Sequence, residues 1–287
     1  MKKKKLLAIA QLILATLIWG STFTLVKYAL RYISEFQLLF LRFGFASIIG
    51  IVVLVKNKAV LKNRKTLFLL SLLGTSLFIA YAFQTAGLKF TTPSKSAFIT
   101  GLYIIFTPIL STIYLRESPR NFEIVALVLS FIGLLFLSQI DLRSLSTVNI
   151  GDILTLFCAI SFAFQIVLTE KLVKDLPSLL VTSFQMIISF VFSAPLAFLR
   201  GVFPLNTFVI LSTLFLGVVA SFFAIQTESF ALKFIDSTEA SLIFILEPVF
   251  AYLFSFFILG ERLSLSGFFG ALLIIISMII IAIYNRE

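Results

Sequence analysis

The 287-residue chain is 60% hydrophobic and only 13% charged, against about 25% charged in an average soluble domain, and its mean hydropathy of +1.12 excludes a soluble globule. Its net charge of +10 sits in short loops between apolar blocks, which is the footprint of membrane orientation rather than of a nucleic-acid surface. The blocks are long and continuous instead of short and alternating, which excludes a transmembrane barrel and leaves an all-α polytopic membrane protein.

Lys2 to Lys5 followed by an apolar core imitates a signal peptide. The run continues from Leu6 to about Val26 with no small-residue cleavage site, so a retained first transmembrane helix is expected. Blocks bounded by charge, glycine or proline then predict ten transmembrane helices. The first five cover 6–28, 36–55, 66–87, 94–115 and 121–139, and the second five cover 151–171, 178–199, 206–230, 238–259 and 264–284. The polar segment 140–149, IDLRSLSTVN, is the expected boundary between a first unit, 1–139, and a second, 150–287.

With a cytoplasmic amino terminus, fifteen basic residues fall inside, among them Lys56, Lys58, Lys62, Arg64, Lys65, Arg116, Arg120, Lys171, Lys174, Lys233 and Arg286. Six fall outside: Arg31, Lys89, Lys95, Arg143, Arg200 and Arg262. This asymmetry predicts that both termini are cytoplasmic. Five crossings per unit would make the second unit run oppositely to the first, an inverted repeat.

Polar residues inside the blocks are the site candidates. In the first block, Trp19-Gly20-Ser21-Thr22 offers close helix approach and hydroxyls that can bond a neighbouring helix or a ligand, while Lys27 near the outer end can snorkel. Arg42, within LLFLRFGFA of the second block, could pair with a carboxylate, bind an anionic substrate group or snorkel outward. Tyr81 and Gln84 end the third block, and Gln226 and Glu228 end the eighth. Such amide and aromatic groups suit a mostly apolar pocket, with Glu228 expected to be hydrated near the cytoplasmic end. Thr91 to Ser96 and Ser237 to Glu239 carry helix-capping residues, and Lys95, misplaced at a helix start, is expected to answer to another group nearby. Glu117 and Glu261 are expected to clasp the amides of the following helices.

Glu247-Pro248 stands at the middle of an apolar run, 240–259, long enough to cross a bilayer at roughly 20 residues. A carboxylate at that depth should face protein or water rather than lipid, and Pro248 frees a backbone carbonyl one turn back. Two readings follow: a buried structural acid beside a packing kink, or a pair lining a substrate cavity where the helix bends. Histidine is absent, removing the commonest metal ligand and near-neutral proton carrier. Cys158 is alone in an apolar block, without metal-ligand or disulfide spacing, and is expected to be a small buried hydrophobe. No cofactor or metal is called for.

The chain also repeats itself. Shifted by 144 positions, Leu88-Lys89-Phe90 falls on Leu232-Lys233-Phe234, Ser111 on Ser255, Leu115 on Leu259 and Glu117 on Glu261. Trp19-Gly20 falls on Phe162-Ala163 and Arg42 on Gln185 at a neighbouring shift, and Tyr103-Ile104 takes the place of Glu247-Pro248. Together with Trp19-Gly20-Ser21-Thr22-Phe23, Lys27, Leu41-Arg42, Thr92 to Ile99, Ala240 to Phe250 and Gly260-Glu261-Arg262, this pattern resembles the drug/metabolite transporter superfamily, in the branch built from two EamA domains. The resemblance covers essentially the whole chain. It implies ten helices, cytoplasmic termini, a central cavity and export of small metabolites such as amino acids.

The expectation is therefore a secondary transporter working by alternating access, with Trp19, Ser21, Thr22, Arg42, Tyr81, Gln84, Tyr103, Gln226, Glu247 and Pro248 as candidate cavity residues. A small molecule and the lipid bilayer are the expected partners, with protons or an exchanged solute as coupling candidates, no nucleic acid, and a monomer or homodimer equally compatible. Any proton coupling would rest on carboxylates. Two alternatives belong to other classes: an intramembrane enzyme acting on lipid-linked substrates, and a flippase or scaffold subunit. The scattered carboxylates argue against the first.

Overall fold

In hydrocarbon every backbone N–H and C=O must be satisfied within the protein, which for long apolar blocks means helices. The structure, a computed structural model, describes residues 2–57, 63–138, 149–199, 201–260 and 264–284, and all regular structure among them is helical. The expected boundary 140–148 lies outside the described residues, as do Lys58, Lys62, Arg143, Arg200, Glu261, Arg262 and Arg286.

The helices are α1 (Lys2–Ala29), α2 (Glu35–Lys56), α3 (Arg64–Leu88), α4 (Pro93–Thr100), α5 (Tyr103–Tyr114), α6 (Asn121–Ser138), α7 (Ile150–Asp175), α8 (Ser178–Phe198), α9 (Thr207–Gly217), α10 (Ala224–Ala231), α11 (Ser237–Phe244), α12 (Leu246–Leu259) and α13 (Leu265–Tyr284). Local chemistry sets several of their starts. Ser34 and Gln37 form a capping box on α2, and Asn149 and Asp152 form one on α7. Thr92 caps α4 with Pro93 in its first turn, and Asp236, one residue earlier than the expected Ser237, caps α11. Each side-chain oxygen satisfies an orphan first-turn amide, worth about 1 kcal/mol.

Three of the expected blocks are interrupted, one of them where Pro248 predicted a bend. The block 94–115 divides at Gly101-Leu102, where Leu102 N donates to Ile99 O and Ile104 N to Gly101 O, at 3.1 Å each. The block 238–259 divides at Ile245, directly after Phe244, the residue whose carbonyl Pro248 both deprives of a donor and crowds. The two breaks are related by the same 144-residue displacement that runs through the sequence. In the block 206–230, a π-helical turn at Val218–Phe223 separates α9 from α10, and Ser221 Oγ donates to Leu216 O at 2.8 Å across it.

Eight described stretches are long and apolar enough to cross a membrane: Lys4–Ala29, Glu35–Lys56, Arg64–Leu88, Pro93–Tyr114, Ile150–Asp175, Ser178–Phe198, Thr207–Ala231 and Ser237–Ile258. Asn121–Leu137 and Leu265–Ile281 are shorter apolar helices. In the bundle α2 lies along α8 and α6 along α13, α3 packs on α7, and α1 packs on both α12 and α10. Leu14, Ile48, Val52, Ile113, Val191 and Phe257 are exposed, presenting an apolar outer surface of the kind lipid requires.

Close backbone approach fixes α1 against α12. A Cβ at Gly20 would lie 2.6 Å from Phe250 Cβ, 2.9 Å from Ala251 N and 3.0 Å from Glu247 O, so only glycine lets the two helices meet there. Gly20→Leu should lower the unfolding free energy in detergent by about 1–3 kcal/mol, while Leu14→Ala on the outer surface should shift it by less than about 0.5 kcal/mol. An unchanged midpoint for the glycine variant would refute this contact.

Candidate functional site

The helix breaks and close crossings leave a cavity among α1, α3, α5, α7, α10, α11 and α12. Six sequence candidates line it: Trp19, Thr22, Tyr81, Gln84, Tyr103 and Glu247. The wall is largely aromatic. Trp19 meets Phe244 edge-on at 5.4 Å between centroids, Tyr103 meets Phe244 at 6.4 Å, and Tyr81 meets Phe162 at 5.1 Å. Trp19 Nε1 donates to Ala220 O at 2.9 Å, fixing the indole across the bundle.

Glu247 is 8% exposed, and the Tyr103 hydroxyl donates to its Oε2 at 3.3 Å. These two residues occupy matching places at the 144-residue shift, each just beyond the break in its own block. Side chains equivalent by sequence repetition thus touch each other.

Four candidates lie outside the cavity lining. Ser21 Oγ turns back to Ile18 O at 2.6 Å, an intrahelical bond that satisfies the hydroxyl locally. Gln226 Nε2 donates to Ser178 Oγ at 3.1 Å, tying α10 to α8. Pro248 acts through the backbone, at the break before α12. Arg42 is 1% exposed; its Nε donates to Ser221 Oγ at 2.6 Å, and its guanidinium lies 4.0 Å from the centroid of the Tyr81 ring. Among the described residues no ion pair within 4.0 Å joins Arg42 to Glu247, and Arg42 Nη2 is buried without a hydrogen-bond partner. The π-helical turn that carries Ser221 supplies its partner, and no feature of the one-dimensional pattern announces that turn.

A second acid enters the wall where hydration was expected. Glu228 is 3% exposed and belongs to a buried polar cluster: Gln165 Nε2 lies 3.1 Å from Glu228 Oε1, 2.9 Å from Gln185 Oε1 and 3.1 Å from Thr169 Oγ1. Glu228 and Gln165 both line the cavity. The rule that singles out an acid within a span applies to Glu228 as much as to Glu247, whereas Gln165 had no signal beyond being polar in an apolar block. Cys158 is fully buried, with its sulfur 3.9 Å from Thr100 Oγ1.

The bundle is tied by charge at both ends of α1. At its start Lys5 pairs with Glu239 at 3.0 Å, and Arg120 pairs with Glu123 and, at 3.0 Å, with Asp236. Burial raises the Asp236 carboxyl above its ordinary range, opposed by the Glu239 amide, raised further by Glu123 and opposed again by Arg120. Lys174 joins Glu170 at 2.8 Å and Glu117 at 3.1 Å, and Glu170 Oε2 accepts from Ser237 N at 2.8 Å. Glu117 therefore has Lys174 as its charge partner. Near the other end of α1, roughly 33 Å away at 1.5 Å per residue, Lys27 Nζ donates to the carbonyls of Leu88, Lys89 and Thr91. Lys95 pairs there with Asp152 at 2.7 Å, the partner that its place at a helix start called for, and Lys89 pairs with Glu35 at 3.0 Å.

The chain is a multi-pass helical bundle with an aromatic, carboxylate-bearing cavity, and comparison with known proteins gives its family. The model of the EamA-like transporter family matches residues 6–139 and again 149–283, so the chain belongs to that family. An "Uncharacterized transporter" of Archaeoglobus fulgidus is 34% identical over 281 residues, covering 98% of this chain and 87% of its own length. A "Probable amino-acid metabolite efflux pump" of Salmonella typhimurium is 26% identical over 93% of this chain and 92% of its own, and an "S-adenosylmethionine uptake transporter" of Rickettsia prowazekii is 26% identical over 91% and 87%. A solved crystal structure superposes with a TM-score of 0.77 at 18% identity, covering 97% of both chains, which shows a shared fold.

Removing the Gln165 amide would leave Glu228 Oε1 without its donor at a cost of about 1–3 kcal/mol. Gln165→Leu should show this loss in detergent unfolding, and Gln165→Leu with Glu228→Leu should lose less than the sum of the single variants. Strictly additive losses would refute the pairing.

Proposed function

We propose that the protein exports a small polar or amphipathic metabolite across the cell membrane by alternating access. In this reading ten crossings form two inverted five-helix repeats around the cavity, and both termini are cytoplasmic. The observation that carries it is the Tyr103–Glu247 contact. Two positions matched by internal repetition meet inside the cavity, as residues beside a shared pseudo-two-fold axis do. The pairing of α2 with α8 and of α6 with α13, each a helix and its repeat counterpart, supports the same axis. The name of the Salmonella relative states outward transport and that of the equally similar Rickettsia relative states uptake, so a direction-resolved transport assay decides between them.

The charge clasps fit the two gates of such a cycle. Glu239 stands 144 residues after Lys95, and each pairs with a residue near the start of a helix in the other unit, Lys5 of α1 and Asp152 of α7, with the charges exchanged and at opposite ends of the bundle. Opening toward one side would break one tie while the other holds. If the cycle exchanges protons, Glu247 and Glu228 are the groups to carry them.

In proteoliposomes Glu247→Gln should cut counterflow by about tenfold or more with unchanged insertion and melting; full activity would remove Glu247 from the mechanism. In a Cys158→Ala background, disulfide formation in Lys5→Cys/Glu239→Cys or in Lys95→Cys/Asp152→Cys should each arrest transport, and reductant should restore it. Continued turnover with either tie locked would count against alternating gates.

A further inference from the structure

We propose that the cavity selects an organic ammonium, a small cation with an apolar or aromatic body and no free carboxylate. The proposal rests on reading this cavity as the transport site and adds the charge of what it takes.

The wall offers acceptors rather than cations. Both ionisable carboxylates in it, Glu228 and Glu247, are unpaired with any cation among the described residues, and each accepts only from a neutral donor, Gln165 and Tyr103 respectively. Among the described residues no lysine or arginine lines the cavity. Arg42, the buried cation nearby, is covered by the Tyr81 ring and held by Ser221, so a substrate anion in the cavity does not reach it.

The wall's hydrogen-bond donors are mostly committed. Trp19 Nε1 serves Ala220 O, Thr22 Oγ1 serves Trp19 O at 2.7 Å, Tyr103 serves Glu247, Gln165 serves Glu228 and Gln185, and Gln84 Nε2 reaches Thr100 Oγ1 at 3.5 Å, leaving the Tyr81 hydroxyl as the remaining lining donor. An anion would need free donors, whereas an ammonium needs acceptors, and carboxylate lone pairs remain. The rings of Trp19, Tyr103, Phe162 and Phe244 add negative π-faces, which attract a cation most strongly when water is excluded. Leu77, Ile166 and Ile225 supply the apolar part of the same wall. An aromatic cage with two acids and no accessible base recognises positive charge.

Trp19 is the chain's single tryptophan and lines the cavity, so its fluorescence reports binding directly. The test uses the full-length protein in nanodiscs with four ligands of one scaffold: 2-phenylethylammonium, phenylalanine, 3-phenylpropionate and 2-phenylethanol. The ammonium should bind about tenfold or more tighter than each of the others. Glu247→Gln and Glu228→Gln should each shrink that preference, judged only in variants that melt like the parent. The parent's own order of affinities decides the proposal even if neither variant folds. Equal or tighter binding of phenylalanine or phenylpropionate overturns it, as does an unchanged preference in both variants, or no response of Trp19 to any ligand. Counterflow of the same ligands separates the two readings. Ammonium-selective binding without counterflow removes the transport reading and leaves the site, whereas counterflow favouring phenylalanine or phenylpropionate keeps transport and removes the cation preference.

Discussion

A helix broken inside hydrocarbon exposes backbone groups that lipid cannot satisfy, so it persists only where protein or enclosed water takes lipid's place. The chain does this twice, at Gly101-Leu102 and at Ile245, and the rest of the bundle is arranged to cover the result. α1 closes over the second break through Gly20, whose missing side chain admits Phe250 and the Glu247 carbonyl. Tyr103 and Glu247 follow the two breaks and meet in the space so created. Breaks, crossing and cavity form one construction, because none of them is tolerable in lipid alone.

Charge is distributed by the same constraint. Pairs that hold helix ends together, such as Lys5 with Glu239 and Lys95 with Asp152, lie where solvent can share the cost of desolvation. Deep in the bundle the arrangement changes: Glu228 and Glu247 rest on neutral amide and phenol donors, and Arg42 rests on a hydroxyl and a ring. Neutral partners leave these groups without an ion pair within 4.0 Å among the described residues. Gly217 serves the Arg42 side of this arrangement. A Cβ there would collide with the Arg42 carbonyl, so the π-helical segment that brings Ser221 to Arg42 begins where two backbones touch.

Much of this was legible in the chain. Apolar block lengths set the helical class and nearly every helix, and the displacement of 144 matched positions that the structure brings into contact. The intramembrane-charge rule drew attention to Glu247, and the misplaced charge of Lys95 pointed to a partner that proved to be Asp152. Other elements were not legible. The break at Gly101-Leu102 has no proline at its place, unlike the one at Ile245, where Pro248 predicted a bend, and the π-helical turn at Val218–Phe223 leaves no compositional mark. Ser21 and Gln226 have the same chemistry as Thr22 and Gln84, yet only the latter two line the cavity.

The sequence by itself determined what must leave water, which residues are too costly to face lipid, and that the chain repeats. Those facts depend on transfer free energies of single side chains and on periodicity, both readable along a line. Only the tertiary structure decided which polar groups share a space: that Glu228 joins Glu247 in one wall, that Gln165 stands between Glu228 and Gln185, and that Arg42 sits behind Tyr81. The reason is geometric. Depth in the membrane follows from position along a helix, but the direction in which a side chain faces depends on helix rotation and crossing, which contacts between distant segments set.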